Sequence, residues 1–175
     1  MRAPRPATAP SDPAPHWWEA AICGAIIAMM TGALIGPVFA PTQEETPILR
    51  LVWLPAYAAI AGLLLYRIDR LWRAWPAVLA MAAVIGLAFA SRYWSIDFAT
   101  TMRRVIALAI SCGFALYLGG VFRGPHLPRL LMLTTLVMAV GSLIMVFGCP
   151  QIGVHQAENA GLWRGLWYEK NQMGA

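Results

Sequence analysis

Charge is scarce in this chain. Only 12% of its 175 residues are charged, about half the ~25% of an ordinary soluble domain. Hydrophobic residues make up 59%, and the mean hydropathy is +0.61. Little charge together with long apolar runs argues against a soluble domain and for a membrane protein. The net charge of +5 does not point to nucleic acid as a partner. The cations are scattered between apolar runs and form no basic face. The chain also lacks any Cys-x-x-Cys pair or His-rich stretch. Cys23 and Cys112 lie inside apolar runs, where cysteine acts as a small hydrophobe, and Cys149 follows the fifth run. His16, His126 and His155 stand alone in separate segments. That leaves little basis for a metal or redox centre, and no cofactor is expected. Gly24, Gly32, Gly36, Gly113, Gly119 and Gly120 sit within apolar runs. They suit close helix packing, not a phosphate loop, because no strand precedes them.

What the sequence does hold is a succession of five apolar runs. Residues 1–16 come first, rich in Pro and Ala, with Arg2, Arg5 and Asp12. That composition buries no core and predicts a disordered tail. Trp17 and Trp18 mark a membrane interface. The first run, 20–40, has about 20 residues, enough to cross a bilayer as a helix. Val38-Phe39-Ala40 resembles a signal-cleavage site, but the length of the run and Pro41 favour an uncleaved span. The second span is expected over 47–66, with Arg50 near its start to snorkel and Pro55 to kink it. The third is expected over 75–90, the fourth over 105–122 and the fifth over 128–148. The predicted architecture is all-α: a polytopic bundle of five transmembrane helices over 17–148, then an external loop over 149–175.

Arg and Lys in short loops set orientation. With the N-terminus inside, Arg2, Arg5, Arg67, Arg70, Arg73, Arg123 and Arg129 fall inside. Arg50, Arg92, Arg103, Arg104, Arg164 and Lys170 fall outside. Seven against six is a small bias. The densest cluster, Arg67-Arg70-Arg73, favours the inside and places Glu44-Glu45 outside. The N-terminus is therefore expected in the cytoplasm and the C-terminal segment on the outer face. Cations kept outside against the usual rule suggest a phosphorylated, lipid-linked substrate. The simpler reading is that Arg103 and Arg104 open the fourth span against lipid phosphate. Asp97 is expected to pair with one of them and steady the loop.

The last fourteen residues, 162–175, gather Arg164, Lys170, Glu169, Asn171 and three aromatics between glycines. Arg as a planar fork and Lys as a point charge can grip an anion. Asn171 can orient a hydroxyl or phosphate oxygen, and Gly165 and Gly174 allow close backbone approach. The simpler reading is an aromatic anchor at the membrane surface. Trp163-Arg164-Gly165, then Lys170-Asn171, then Gly174, resembles the Arg-Gly…Lys-Asn…Gly signature of the O-antigen ligase and polysaccharide polymerase superfamily, especially its exopolysaccharide polymerase branch. Upstream, Trp94-Ser95-Ile96-Asp97-Phe98 with Met102-Arg103-Arg104 is similar to the Trp-Ser-x-Asp…Arg-Arg stretch of those proteins. Glu169 stands where family members often carry His.

The resemblance implies a glycosyltransferase of the bacterial inner membrane, working in cell-surface polysaccharide assembly. Such a protein moves saccharide from a polyprenyl-pyrophosphate carrier to an acceptor hydroxyl. The donor is already activated, so no metal or nucleotide is needed. The leaving pyrophosphate requires stabilised negative charge. Arg164, Lys170, Asn171, Gly165, Gly174, Arg92, Arg103 and Arg104 are the expected binding residues, and no catalytic residue is assigned. Expected partners are the lipid-linked saccharide, membrane lipids and polysaccharide-assembly proteins. Family members continue through further spans and a large external loop, so the chain reads as an N-terminal portion. The alternative is a small non-enzymatic membrane scaffold or accessory subunit.

Overall fold

The computed structural model describes residues 14–32, 47–154, 161–163 and 165–167. Among them the fold is helical throughout, apart from one isolated bridge between Val154 and Trp163. The helices are α1 (Trp17–Met30), α2 (Pro47–Tyr66), α3 (Ile68–Arg73), α4 (Trp75–Ala90), α5 (Phe98–Val121), α6 (His126–Gly148) and α7 (Pro150–Gly153). A single 3-10 turn, Ser91–Tyr93, extends α4. Three segments are long and apolar enough to cross a membrane: Trp75–Tyr93, Phe98–Val121 and His126–Gly148. Trp17–Met30 and Leu51–Tyr66 are shorter apolar helices.

Five spans were expected, and three helices have the length and hydropathy for one; α2 and α4 are helices with the bounds expected of the second and third runs, and α2 runs through Pro55 unbroken. The other helices differ from expectation, and α6 starts at His126 instead of 128. α1 starts three residues early, at Trp17, and Gly32 follows its end with φ +78°. The remainder of that expected run, 33–40, lies outside the described residues, as do the tail through residue 13 and Arg50's side chain. α5 starts at Phe98 instead of 105, because Asp97 caps it: its carboxylate accepts from Thr100 N at 3.1 Å. Arg103 and Arg104 are therefore helical and not in a loop. Finally, part of the expected loop after Tyr66 forms the short helix α3.

The packing is compatible with hydrocarbon around the bundle. On α6 the buried positions recur every fourth residue: Leu130, Thr134, Met138, Ser142 and Val146. Two of these five are hydroxyls, while Leu133, Leu136, Val137, Leu143 and Ile144 point outward. Inside a bilayer, small and polar residues hold helices together and leucine faces lipid. α4 buries no residue and forms the edge of the bundle against α5. Aromatics gather at both of its ends. Trp72 and Trp75 are exposed at one, Tyr93 and Trp94 at the other. The 19 residues of Trp75–Tyr93 span about 28 Å, close to the ~30 Å hydrocarbon layer.

Cys23, Ile26, Ile60, Leu63, Phe114, Tyr117 and Leu130 join α1, α2, α5 and α6 in one core. The core also fixes direction. The start of α1, the end of α2, the end of α5 and the start of α6 meet there. The start of α5 and the end of α6 therefore lie together at the opposite end of the bundle.

Candidate functional site

The two ends of the bundle treat charge differently. At the first, Glu19 is 0% exposed. Arg67 holds it through both carboxylate oxygens: Nε donates to Oε1 at 2.9 Å and Nη2 to Oε2 at 2.8 Å. Tyr117 Oη donates to Oε1 at 2.7 Å, and His16 N–H to Oε2 at 2.7 Å. Four donors satisfy one buried carboxylate, as a buried charge requires. This clasp ties α1, α2 and α5 together. Arg67 also lies over the Tyr66 ring, 5.0 Å from its centroid. Sequence reasoning placed Arg67 in a loop and passed over Glu19. The available signal was an acidic residue at the head of an apolar run, which in a membrane protein marks a buried partner.

At the opposite end sit Arg92, Arg103 and Arg104. Arg92 stacks on Phe89 at 4.2 Å and on Tyr93 at 4.7 Å, and its Nη2 donates to Tyr93 Oη at 2.7 Å. Arg103 Nη2 donates to Thr100 Oγ1 at 2.8 Å, and that hydroxyl donates onward to Asp97 Oδ2 at 2.5 Å. The expected Asp97–Arg103 pair is thus relayed through Thr100. Asp97's carboxyl is held below its ordinary value, first by the Thr100 hydroxyl and then by the Thr100 N–H. Thr101 Oγ1 donates to Asp97 O at 2.9 Å and shares a short hydrogen bond with Ser95 Oγ, fixing the turn before α5. Arg104 lines a cavity of about 250 Å³ with Ser91 and Thr101. Among the described residues, Asp97 is the only acid at this end. A helix N-terminus already carries partial positive charge, so arginines in the first turns of α5 deepen an electropositive surface.

The terminal segment folds back onto the same end. Cys149 caps α6, and α7 turns the chain. A Cβ on Gly153 would meet Met145 O at 2.5 Å, so only glycine fits there. Gly165 N donates to Gly153 O at 3.0 Å, and Leu166 N to Ser142 Oγ at 3.4 Å. Gly165 has φ +57°, and a Cβ there would stand 2.7 Å from Ser142 Cβ. Both constraints require glycine. Leu166 is buried against Met138, with Ala28, Met145 and Trp167 around the pair. Phe147 and Trp163 meet edge to face at 5.6 Å.

No family model, curated protein or solved structure matches the chain.

The functional reading therefore rests on the residues themselves. Of those the sequence singled out, Arg92, Arg103, Arg104 and Gly165 share one end of the bundle. Arg164, Lys170, Asn171 and Gly174 lie outside the described residues, as do Glu169 and His155. Among the described residues no cluster of His, Cys, Asp or Glu has the makings of a metal site.

Proposed function

We propose that this chain is a five-span protein of the bacterial inner membrane that binds a polyprenyl-pyrophosphate-linked saccharide at its outer face, for transfer in cell-surface polysaccharide assembly. The observation that carries this reading is the cationic end: three arginines beside one acid among the described residues, at the positive pole of α5. A diphosphate is the ligand that such an end attracts from the membrane surface. The docking of Gly165 on Ser142 adds support, because it fixes the glycine of the terminal signature against α6. In the proposed reaction the acceptor hydroxyl attacks the sugar's anomeric carbon. The bond to the diphosphate breaks, its electrons leave with the phosphate oxygen, and the hydroxyl's proton passes to water. Arg164, Lys170, Arg103 and Arg104 stabilise that charge, and Asn171 orients the sugar or a phosphate oxygen.

The test is saccharide transfer from a polyprenyl-diphosphate donor in membranes carrying the chain, with expression checked by blot. Arg164→Lys keeps charge and loses the fork. Turnover is expected to fall roughly tenfold to a thousandfold, the scale of one lost preorganised donor or more. Full turnover in Arg164→Ala at normal expression would return the segment to an aromatic anchor. Absence of transfer by the unaltered chain in a strain otherwise competent for assembly would favour the accessory reading.

A further inference from the structure

A groove of about 420 Å³ runs between α1 and α6, on a face that neither the clasp nor the arginine end uses. Ala21, Gly24 and Ala25 line one wall, and Leu133, Thr134 and Val137 the other. The lining is apolar except for Thr134, which is only 8% exposed. Its Oγ1 lies across from Gly24, 3.0 Å from where a Cβ on that glycine would stand. A threonine inside a helix ordinarily returns its hydroxyl to a carbonyl one turn back. This hydroxyl has no hydrogen-bond partner among the described residues. A buried donor left unmet in hydrocarbon is costly and points to a ligand.

The two ends of the groove differ. Ala28 and Met138 bound it where Leu166 packs against them, so the terminal segment closes that end. At the other end lies Arg129. Arg129, Leu133 and Val137 are exposed at fourfold spacing and form one ridge of α6. Among the described residues no acid pairs with Arg129. Thr134 lies five residues further on, or roughly 7.5 Å deeper into the membrane.

We propose that the groove holds one acyl chain of an anionic phospholipid from the leaflet on the Glu19 side. Its phosphate rests on Arg129, and an ester carbonyl accepts the Thr134 hydrogen. The glycerol backbone separates phosphate and ester by a comparable span. The dimensions favour a chain over a helix. Spread over the roughly 12 Å between Ala20 and Ala28, the volume has less than half the cross-section of a helix about 10 Å wide. A hydrocarbon chain fits, and Leu166 limits how far it reaches.

The test is native mass spectrometry of the purified chain, incubated with phosphatidylglycerol or with phosphatidylcholine of the same acyl chains. One phosphatidylglycerol is expected to be retained in preference. Arg129→Gln, a surface change, is expected to weaken that retention about fivefold, the effect of one cation near a lipid surface, and to erase the preference. Ala21→Leu with Ala25→Leu fills the groove from two exposed positions and is expected to abolish retention of both lipids, with thermal unfolding unchanged. Equal retention of the two lipids by the unaltered chain overturns the proposal. So does undiminished phosphatidylglycerol binding by the filled variant. So does efficient disulfide dimerisation of Ala21→Cys in native membranes, which would make the occupant a second helix.

Discussion

Removing the guanidinium of Arg67 tests whether the clasp holds the bundle. Arg67→Ala leaves the Glu19 carboxylate 0% exposed, with the Tyr117 hydroxyl and the His16 N–H but no counter-charge. Breaking a buried pair from one side costs about 3–5 kcal/mol. Arg67's side chain keeps 13% exposure, so the figure to expect is about 3 kcal/mol. For a chain of this size that corresponds to a fall in melting temperature of roughly 6–12 °C. Glu19→Gln with Arg67→Leu removes both charges together and is expected to cost less than Arg67→Ala alone, because no buried charge is stranded. Tyr117→Phe loses one hydrogen bond to a charged acceptor, about 1.5–3 kcal/mol. The assay is thermal unfolding in detergent, followed by tryptophan fluorescence and helix content. A fall below about 2 °C for Arg67→Ala would show that the pair carries less than 1 kcal/mol and refute the clasp. A double variant less stable than Arg67→Ala would refute the stranded-charge explanation.

Gly165→Ala forces a Cβ to 2.7 Å from Ser142 Cβ at φ +57°. The terminal segment is expected to release from α6 and be cut by added protease while 47–148 stays intact; an uncut segment would show that the docking tolerates the methyl. Asp97's depressed value means its capping is fully present above the ordinary carboxylate range, ~3.9, and is lost as pH falls through the lower folded value. Exchange at the Thr100 and Thr101 amides is therefore expected to be flat from neutral pH down to about 4, once corrected for intrinsic rate, and to rise below it. Asp97→Asn keeps a capping oxygen and should abolish that rise. In a background without Cys23, Cys112 and Cys149, Asp69→Cys should resist an impermeant thiol reagent added outside, while Ser95→Cys and Gln151→Cys should react. Labelling at Asp69→Cys from outside would invert the orientation.

The spans were legible where an apolar run meets a hard boundary. Pro47 and Tyr66, Trp75 and Ala90, and Gly148 are such boundaries, and the helices stop at them. The start of α5 was not legible from hydropathy, because Phe98 to Arg104 is polar enough to pass for loop. Asp97 with Thr100 three residues on is the local signal that outweighs it, since a satisfied N-cap starts a helix whatever its hydropathy. For the clasp, Glu19 at the head of an apolar run signalled a buried partner, but nothing local said which residues it would meet. Its partners stand 48 and 98 residues apart, and a pairing that distant is set by packing. The site was legible in part. Arg92, Arg103 and Arg104 were read as one external group, and they do share an end. Gly165 was read as a glycine needed for close approach, and Ser142 is the surface it approaches.

The contrast between the two ends bears on why the arginines are there. At the Glu19 end the chain supplies its own counter-charge and meets every oxygen of the carboxylate. At the other end it places cations on the first turns of α5, where the helix dipole opposes them. Among the described residues it gives Arg103 only a relayed acid, and it gives Arg104 a cavity lined by Ser91 and Thr101 together with Ala88, Val105 and Leu108. A fold that can build the first arrangement has the means to neutralise the second. Among the described residues the second stays positive, and the proposed diphosphate would supply its anion at the depth of the lipid phosphates. Single lipid phosphates would satisfy scattered arginines equally well. They would not require two glycine-only contacts, at Gly153 and Gly165, to hold the terminal segment at the same end of the bundle. That rigidity suits a ligand of fixed shape and concentrated charge, which a diphosphate is and a fluid headgroup layer is not.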